Sequence, residues 1–369
     1  MTSLYRDWSS DAPAGRRQRA RGIFRAVSIA AVFATSSTST LARDEGMGES
    51  PAAETRALTP KSGPRNESNA VVFRLAIDAF PSGSVQLSNG ATVSVGDWPT
   101  VTVATIPQSS ILSTRTPLAT CTAVLVGPKV MLTAAHCVDD PFSESPRPAT
   151  LVVDGRKLVF DCSINPKYLK RDPRVTAPRG SEDYALCLLD DKGALPASLA
   201  ALRYDVVDIE TAMSPKEPVL MVGYGCSDLK VLHDELTYTK TDGLLRIGDE
   251  RIDRVPSGAE PDPTYAVIRS LRGKEPALCP GDSGGPLFTG VTVDAPKGVR
   301  RVRGVNSKVD LEKVPDGYDV LSYVAATSGA VFPSWVHRWA DKNRTKDPVP
   351  QEPIICGVTR KAGELPCLR

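Results

Sequence analysis

Gly281-Asp282-Ser283-Gly284-Gly285-Pro286 sets one hydroxyl among three glycines and a proline. Glycine tolerates backbone conformations, including positive φ, that other residues avoid. Such a loop can expose a serine while turning its own N–H groups toward one point. Acyl transfer needs both things: an accessible nucleophile, and donors for the oxyanion that develops on the attacked carbonyl. A glycine-rich turn holding a serine by chance has the same composition, so the rest of the chain has to discriminate.

A serine hydroxyl is a poor nucleophile without a positioned base, and the chain holds three histidines. His136 stands in Leu132-Thr133-Ala134-Ala135-His136-Cys137, where small neighbours leave room for the ring and the adjacent cysteine can anchor it. His233 and His337 lack such a setting and read as structural or exposed side chains. The imidazole also needs a carboxylate on its other nitrogen. Asp183 opens Asp183-Tyr184-Ala185-Leu186-Cys187-Leu188-Leu189, and an acid at the mouth of an apolar strand can be buried and still face a polar partner. Gly281-x-Ser283-x-Gly285 also fits the nucleophile elbow of α/β-hydrolases. That fold places its acid and histidine after the serine, on alternating strands and helices. Here only His337 follows, and the chain has no βαβ rhythm.

The chain has 369 residues, is 41% hydrophobic and carries a net charge of +2. This is enough for a sizeable core, and the charge balance points to no nucleic-acid or polyanion partner. The 31 prolines and 28 glycines favour turns and short strands. From residue 87 onward, runs rich in Val, Ile, Leu and Thr alternate with Gly, Pro and Asp. These runs are 100–106, 122–126, 130–134, 151–153, 158–160, 184–189, 219–224, 265–270, 286–288 and 302–306. They predict an all-β sandwich or barrel. Helical periodicity is confined to 334–342, where Trp335, Val336 and Trp339 share a face.

Residues 1–42 read as a signal peptide. Arg16, Arg17, Arg19, Arg21 and Arg25 precede the apolar run 26–34, and a Ser/Thr patch leads to Thr40-Leu41-Ala42. The run is too short to span a bilayer, so no membrane association is expected after cleavage. Residues 43–86 are rich in Ser, Pro, Glu and Arg and read as a linker or pro-segment; within them 71–80 is apolar, a short strand or helix whose place in the core is open. Residues 344–369 form a Pro-rich basic tail with Cys356 and Cys367. Eight cysteines suit an exported, disulfide-bonded protein. None stands in a Cys-x-x-Cys pair, and three histidines do not favour zinc, so neither metal nor other cofactor is expected.

TAAHC, DYALCLL and GDSGGP, in the order His136, Asp183, Ser283, resemble the chymotrypsin/trypsin family of serine proteases. The resemblance covers 87–343. It implies two packed six-stranded antiparallel β-barrels with a C-terminal helix, His136 and Asp183 coming from the first barrel and Ser283 from the second. It implies that Ser283 is the nucleophile, His136 the general base, Asp183 its orienting acid, and the N–H groups of Gly281 and Ser283 the oxyanion hole. Ser307, in Gly304-Val305-Asn306-Ser307, matches the serine that supports the buried aspartate, although Lys308 and Val309 replace the usual Trp and Gly.

The family is made as a zymogen whose new N-terminal ammonium pairs with the acid before the catalytic serine. By that resemblance Asp282 is the acid, and Leu87, cut from Gln86 by an activating protease, is the new terminus. Leu87-Ser88-Asn89-Gly90 departs from the usual Ile or Val followed by Val-Gly-Gly. The resemblance also implies bridges Cys121–Cys137 and Cys162–Cys187. Cys279 lacks its usual partner after Ser307, so Cys226 is proposed for it, and Cys356–Cys367 would then close the tail; free buried thiols are the alternative. Ala277 occupies the bottom of the specificity pocket, where trypsin-like members have Asp. Val309 should narrow the pocket, and Asp319 aligns with another wall, where it would either recruit a basic side chain or stay solvated. Small apolar side chains are the expected preference.

These residues imply a secreted monomeric endopeptidase acting on protein or peptide substrates. A silent zymogen or a binding protein on the same fold is the alternative. The short targeting segment and lack of accessory modules suggest a bacterial source.

Overall fold

A computed structural model describes residues 69–75, 89–106, 119–169, 178–190, 193–227, 229–232, 235–238, 244–259, 262–345 and 350–369. The signal-peptide segment, Leu87 and His233 lie outside them. No helix among the described residues is long and apolar enough to cross a membrane.

In chain order the first strands are β1 (Val71–Leu75), the two-residue β2 (Ala91–Thr92), β3 (Val101–Ile106), β4 (Ala119–Gly127) and β5 (Val130–Thr133). One helical turn, α1 (Ala135–Val138), precedes β6 (Ala149–Val153), β7 (Arg156–Ile164) and β8 (Ala185–Leu189). A connector carries α2 (Ala197–Ala200) and β9 (Val206–Val207). Then come β10 (Pro218–Gly223), the hairpin β11 (Leu229–Leu232) and β12 (Glu235–Tyr238), β13 (Arg246–Arg254), β14 (Tyr265–Ser270), β15 (Pro286–Thr289), β16 (Arg301–Val314), β17 (Gly317–Ala326) and helix α3 (Val331–Lys342).

The first barrel closes in the order β1-β3-β4-β5-β8-β7-β6. It has one strand more than the six-stranded barrel the resemblance implies. The extra strand is β1, which pairs antiparallel with β3 and parallel with β6. Val71, Phe73 and Leu75 alternate into the core while Arg74 faces out, the period of a half-buried strand. This strand comes from the stretch read as a pro-segment. The second sheet runs β10-β15-β16-β17-β14-β13 and closes through β10–β13, with β2 added beyond β13. The middle of its sheet is buried on both faces. In β10, Leu220 and Val222 enter the large core shared by the two barrels, and Val219 and Met221 enter a smaller cluster. The same alternation separates Leu287 from Phe288 and Val324 from Ala325.

Helix α3 buries Phe332, Trp335, Val336, Trp339 and Ala340 and leaves His337 exposed. Phe332 and Trp335 pack on Tyr184 of the first barrel, with ring centroids 5.0 and 6.4 Å away. Four bridges join Cys121–Cys137, Cys162–Cys187, Cys226–Cys279 and Cys356–Cys367.

The last of these closes a clamp built from the tail. The N–H of Cys356 donates to the carbonyl of Val126 at the end of β4, and its carbonyl accepts the N–H of Val207, both at 2.8 Å. Tyr204 exchanges backbone hydrogen bonds with Pro366 and Leu368 at 3.0 Å. The tail thus ties the first barrel to the connector between barrels. Replacing Cys356 and Cys367 together with alanine should lower unfolding free energy by roughly 2–4 kcal/mol. Urea unfolding measures it; an unchanged midpoint would mean that the bridge does not contribute to stability.

Candidate active site

His136 follows β5 on the single turn α1, and Asp183 sits just ahead of the neighbouring strand β8. Pairing of β5 with β8 puts Thr133 opposite Ala185, so the two residues meet where the strands end. The Asp183 carboxylate has no solvent exposure. One oxygen accepts the backbone N–H of His136 at 2.9 Å, and the other contacts His136 Nδ1 at 2.7 Å. An ionised carboxylate can only accept, so a proton sits on Nδ1, and in the neutral ring Nε2 is left with its lone pair.

Ser307 Oγ donates to the same Asp183 oxygen at 2.7 Å. Strand β16 bulges between Asn306 and Lys308, and the extra residue is Ser307. A bulge turns a side chain out of the pleat, and here it aims the hydroxyl at Asp183. Tyr265 OH lies 2.9 Å from Ser307 Oγ and donates to the carbonyl of Gly180 at 3.0 Å. Burial pushes Asp183 up, but the His136 charge and the hydrogen bonds from His136 and Ser307 outweigh it and hold the carboxyl below its ordinary value of 3.8. Asp183 therefore contributes stability that is present above pH 3.8 and lost as the pH falls through the lower folded value.

Ser283 comes from the loop between β14 and β15. Thr122, on β4 of the first barrel, holds this loop at two carbonyls. Its N–H donates to Ser283 O at 2.7 Å and its hydroxyl to Gly281 O at 2.9 Å. Gly285 N–H bonds to Asp282 O at 2.9 Å, so the Ser283 N–H, across that trans peptide, points the other way. Neither Gly281 N–H nor Ser283 N–H has a hydrogen-bond partner among the described residues. At Gly284 φ is +85°, and a Cβ there would lie 2.2 Å from both Thr122 O and Thr133 Oγ1. Only glycine fits where the serine loop meets the histidine strand. Ser283 Oγ donates to the carbonyl of Ser307 at 3.3 Å, and no hydrogen bond joins it to His136.

Asp282 points into the second barrel, fully buried. It accepts the N–H of Gly225 at 2.6 Å and that of Cys279 at 2.8 Å. Burial pushes its carboxyl up to about 7, against the two N–H groups and the charge of Arg246. Gly223 and Gly225 form the wall: a Cβ on either would lie 2.2–2.6 Å from the carboxylate oxygens.

Ala277 is buried, and the N–H of the next residue, Leu278, donates to Ser322 Oγ at 2.9 Å. Val309, half-buried, pairs with the same Ser322. Asp319 is buried and bonded to Arg269 Nη1 at 3.0 Å; Arg269 also holds Asp253 and Glu312. Cys121, His136 and Cys137 cluster with donor atoms within 4.8 Å, but both sulfurs are bridged. Thr122, Tyr265 and Arg246 were not singled out in the sequence, where an isolated threonine, tyrosine or arginine carries no signal of its partner.

The sequence model of the Trypsin family matches residues 88–330, and the chain belongs to that family. Comparison with curated proteins gives no match.

Gly225→Ala should drive a methyl into the Asp282 carboxylate and cost about 2 kcal/mol or more. A melting temperature equal to that of the parent would contradict this packing.

Proposed function

We propose that the chain is an exported serine endopeptidase working through an acyl-enzyme. The observation that carries the reading is the hydrogen-bonded chain His136–Asp183–Ser307 beside Ser283. Rotation about the Cα–Cβ bond of Ser283 moves Oγ from the Ser307 carbonyl toward Nε2; hydrogen bonds of this kind are often unmade before substrate binds. Ser283 Oγ then attacks the scissile carbonyl carbon as its proton passes to His136 Nε2. Asp183 stabilises the imidazolium. The tetrahedral oxyanion is received by the N–H groups of Gly281 and Ser283. Collapse breaks the C–N bond, with the His136 proton delivered to the leaving amine. Water, deprotonated by His136, then attacks the ester and releases the acid and Ser283.

Export is supported by the leader pattern at 1–42 and by four disulfides, which persist in oxidising compartments. A second reading, a silent zymogen or binding protein, is favoured by one observation: Ser283 Oγ bonds to Ser307 rather than His136. A serine-directed fluorophosphonate divides the two. The protein should label at Ser283 and Ser283→Ala should not; no labelling before or after limited proteolysis would defeat the enzyme reading. Asp183→Asn should lower kcat on the order of 10³–10⁴-fold by leaving the imidazole in the wrong tautomer.

Ala277 puts no charge at the pocket floor, and Asp319 is taken up by Arg269. We therefore propose cleavage after small or medium apolar residues. Peptides varied only at the residue before the scissile bond should be cut faster at Ala or Val than at Arg or Lys; cleavage solely after Arg and Lys would reverse this assignment.

A further inference from the structure

Lys308 is the next residue on β16 after Ser307, whose hydroxyl holds Asp183. Its ammonium lies over two rings, 4.8 Å from the centroid of Tyr323 and 5.3 Å from that of Tyr265. Strand pairing explains the placement: Tyr323 stands opposite Lys308 on β17, and Tyr265 lies on β14 beyond it. Ring faces attract a cation but leave its charge uncancelled. No carboxylate lies within ion-pair distance of Lys308 among the described residues. The acids nearest in sequence or fold have other partners. Asp183 is bonded to His136 and Ser307, Glu182 to Ser181 Oγ at 3.4 Å, and Asp310 to the N–H of Leu311 at 2.9 Å. Lys308 is half-buried, so its charge stands at the protein surface beside the catalytic row.

The edge of β16 beside Lys308 is open. β15 pairs with β16 as far as Val305, and Gly284 and Gly285 continue the ladder at Asn306. From Ser307 onward, β17 is the only strand paired with β16 among the described residues. The Ser307 carbonyl points to the open edge, where it accepts Ser283 Oγ. Once Oγ turns to His136, that carbonyl is left beside the nucleophile, in reach of the N–H of the residue whose carbonyl is attacked. A peptide then extends antiparallel along the edge as an added strand. Its residue before the scissile bond stands opposite Ser307, the second before it opposite Lys308, and the third opposite Val309. Directly opposite side chains share a face, and alternate residues return to it.

We propose that Lys308 is a specificity-determining residue: it selects a substrate with an acidic side chain at the second or fourth residue before the scissile bond, the two that share its face. The inference rests on the endopeptidase reading and deepens it. It concerns the opposite face of the peptide from the Ala277 pocket, because Val309 and its partner Ser322, which takes the Leu278 N–H, lie on the other side of the sheet. The four-carbon stem of Lys308 can swing its ammonium from the rings to a carboxylate on the peptide.

The test uses peptides that share one residue before the scissile bond and carry Glu or Gln at the second, third or fourth residue before it. For each position the ratio of kcat/KM for Glu over Gln is measured with the parent, Lys308→Met and Lys308→Glu, and each protein is also labelled with a fluorophosphonate. The parent should favour Glu about fivefold at the second or fourth position, the size of an exposed charge pair, and show no preference at the third. Added salt should shrink the ratio. Lys308→Met should bring it to about one, and Lys308→Glu should invert it. A loss of activity shared by all peptides would report disturbance of Ser307 and cancels in the ratio. Equal hydrolysis of Glu and Gln peptides by the parent overturns the inference, as does an equal Glu preference at the third position or a ratio that survives in Lys308→Met. Should Lys308→Met not fold, Lys308→Glu decides: inversion supports the inference and an unchanged ratio overturns it. A parent that labels but shows no charge preference leaves the endopeptidase reading standing and removes this inference alone. A parent that neither labels nor cleaves any peptide, before or after limited proteolysis, removes both.

Discussion

A carboxyl group shut off from solvent has to be met from every side, and Asp282 is such a group. Its accommodation shapes the second barrel around Ser283. Gly223 and Gly225, where β10 ends, give up their side chains so that it fits. Cys279 and Gly225 lend their N–H groups. Arg246 is carried into the interior at the start of β13, where its guanidinium bonds to the carbonyl of that same Gly225. With the side chain drawn inward, the backbone on either side of Asp282 has little freedom left, and that backbone contains the two N–H groups facing away from the protein's own acceptors.

The first barrel meets this loop through β4 and β5. Thr122 caps two of its carbonyls, and Thr133 fills the space that a side chain on Gly284 would need. The histidine strand and the serine loop are thus in van der Waals contact, and their separation is set by the absence of one methyl. Deeper in the shared core the barrels are joined again. Arg300 bonds to Asp205 of the connector and stacks over Trp98 and Phe288, with its guanidinium carbon 4.7 and 5.5 Å from the ring centroids. Trp98 enters from the first barrel and Phe288 from the second. The desolvation cost of a buried ion pair of this sort offsets much of its attraction, but separating its members would strand a charge, which resists any sliding of one barrel on the other.

Much of the architecture was legible as composition and punctuation. Short β-branched runs bounded by Gly, Pro and Asp mark where strands lie, and 265–270 coincides with β14. Other strands were not. β13, with the sequence Arg-Ile-Gly-Asp-Glu-Arg-Ile-Asp-Arg, looks like a solvated charged stretch; it is a strand because β10 and β14 flank it and take its backbone hydrogen bonds. β16 and β17 run on well past the apolar segment around Val305 as a long hairpin. There pairing, not hydrophobic pattern, sustains the extended backbone. β1 lies in 71–80, whose apolar character allows either a strand or a helix; pairing with β3 and β6 makes it a strand and places it in the barrel.

The amino-acid sequence by itself determined the family and the kinds of groups available: an imidazole, a carboxylate and a hydroxyl, each in a short local motif that sterics and hydrogen bonding explain one segment at a time. Tertiary structure alone decided how those groups are held. That Ser307 turns to Asp183, that Tyr265 stands behind it, that Asp319 is occupied by Arg269 and that Arg246 and Asp282 both bond to Gly225 all depend on which strands become neighbours. A buried charge is satisfied by whatever the fold brings within a few ångströms, and no local pattern in the chain records that distance.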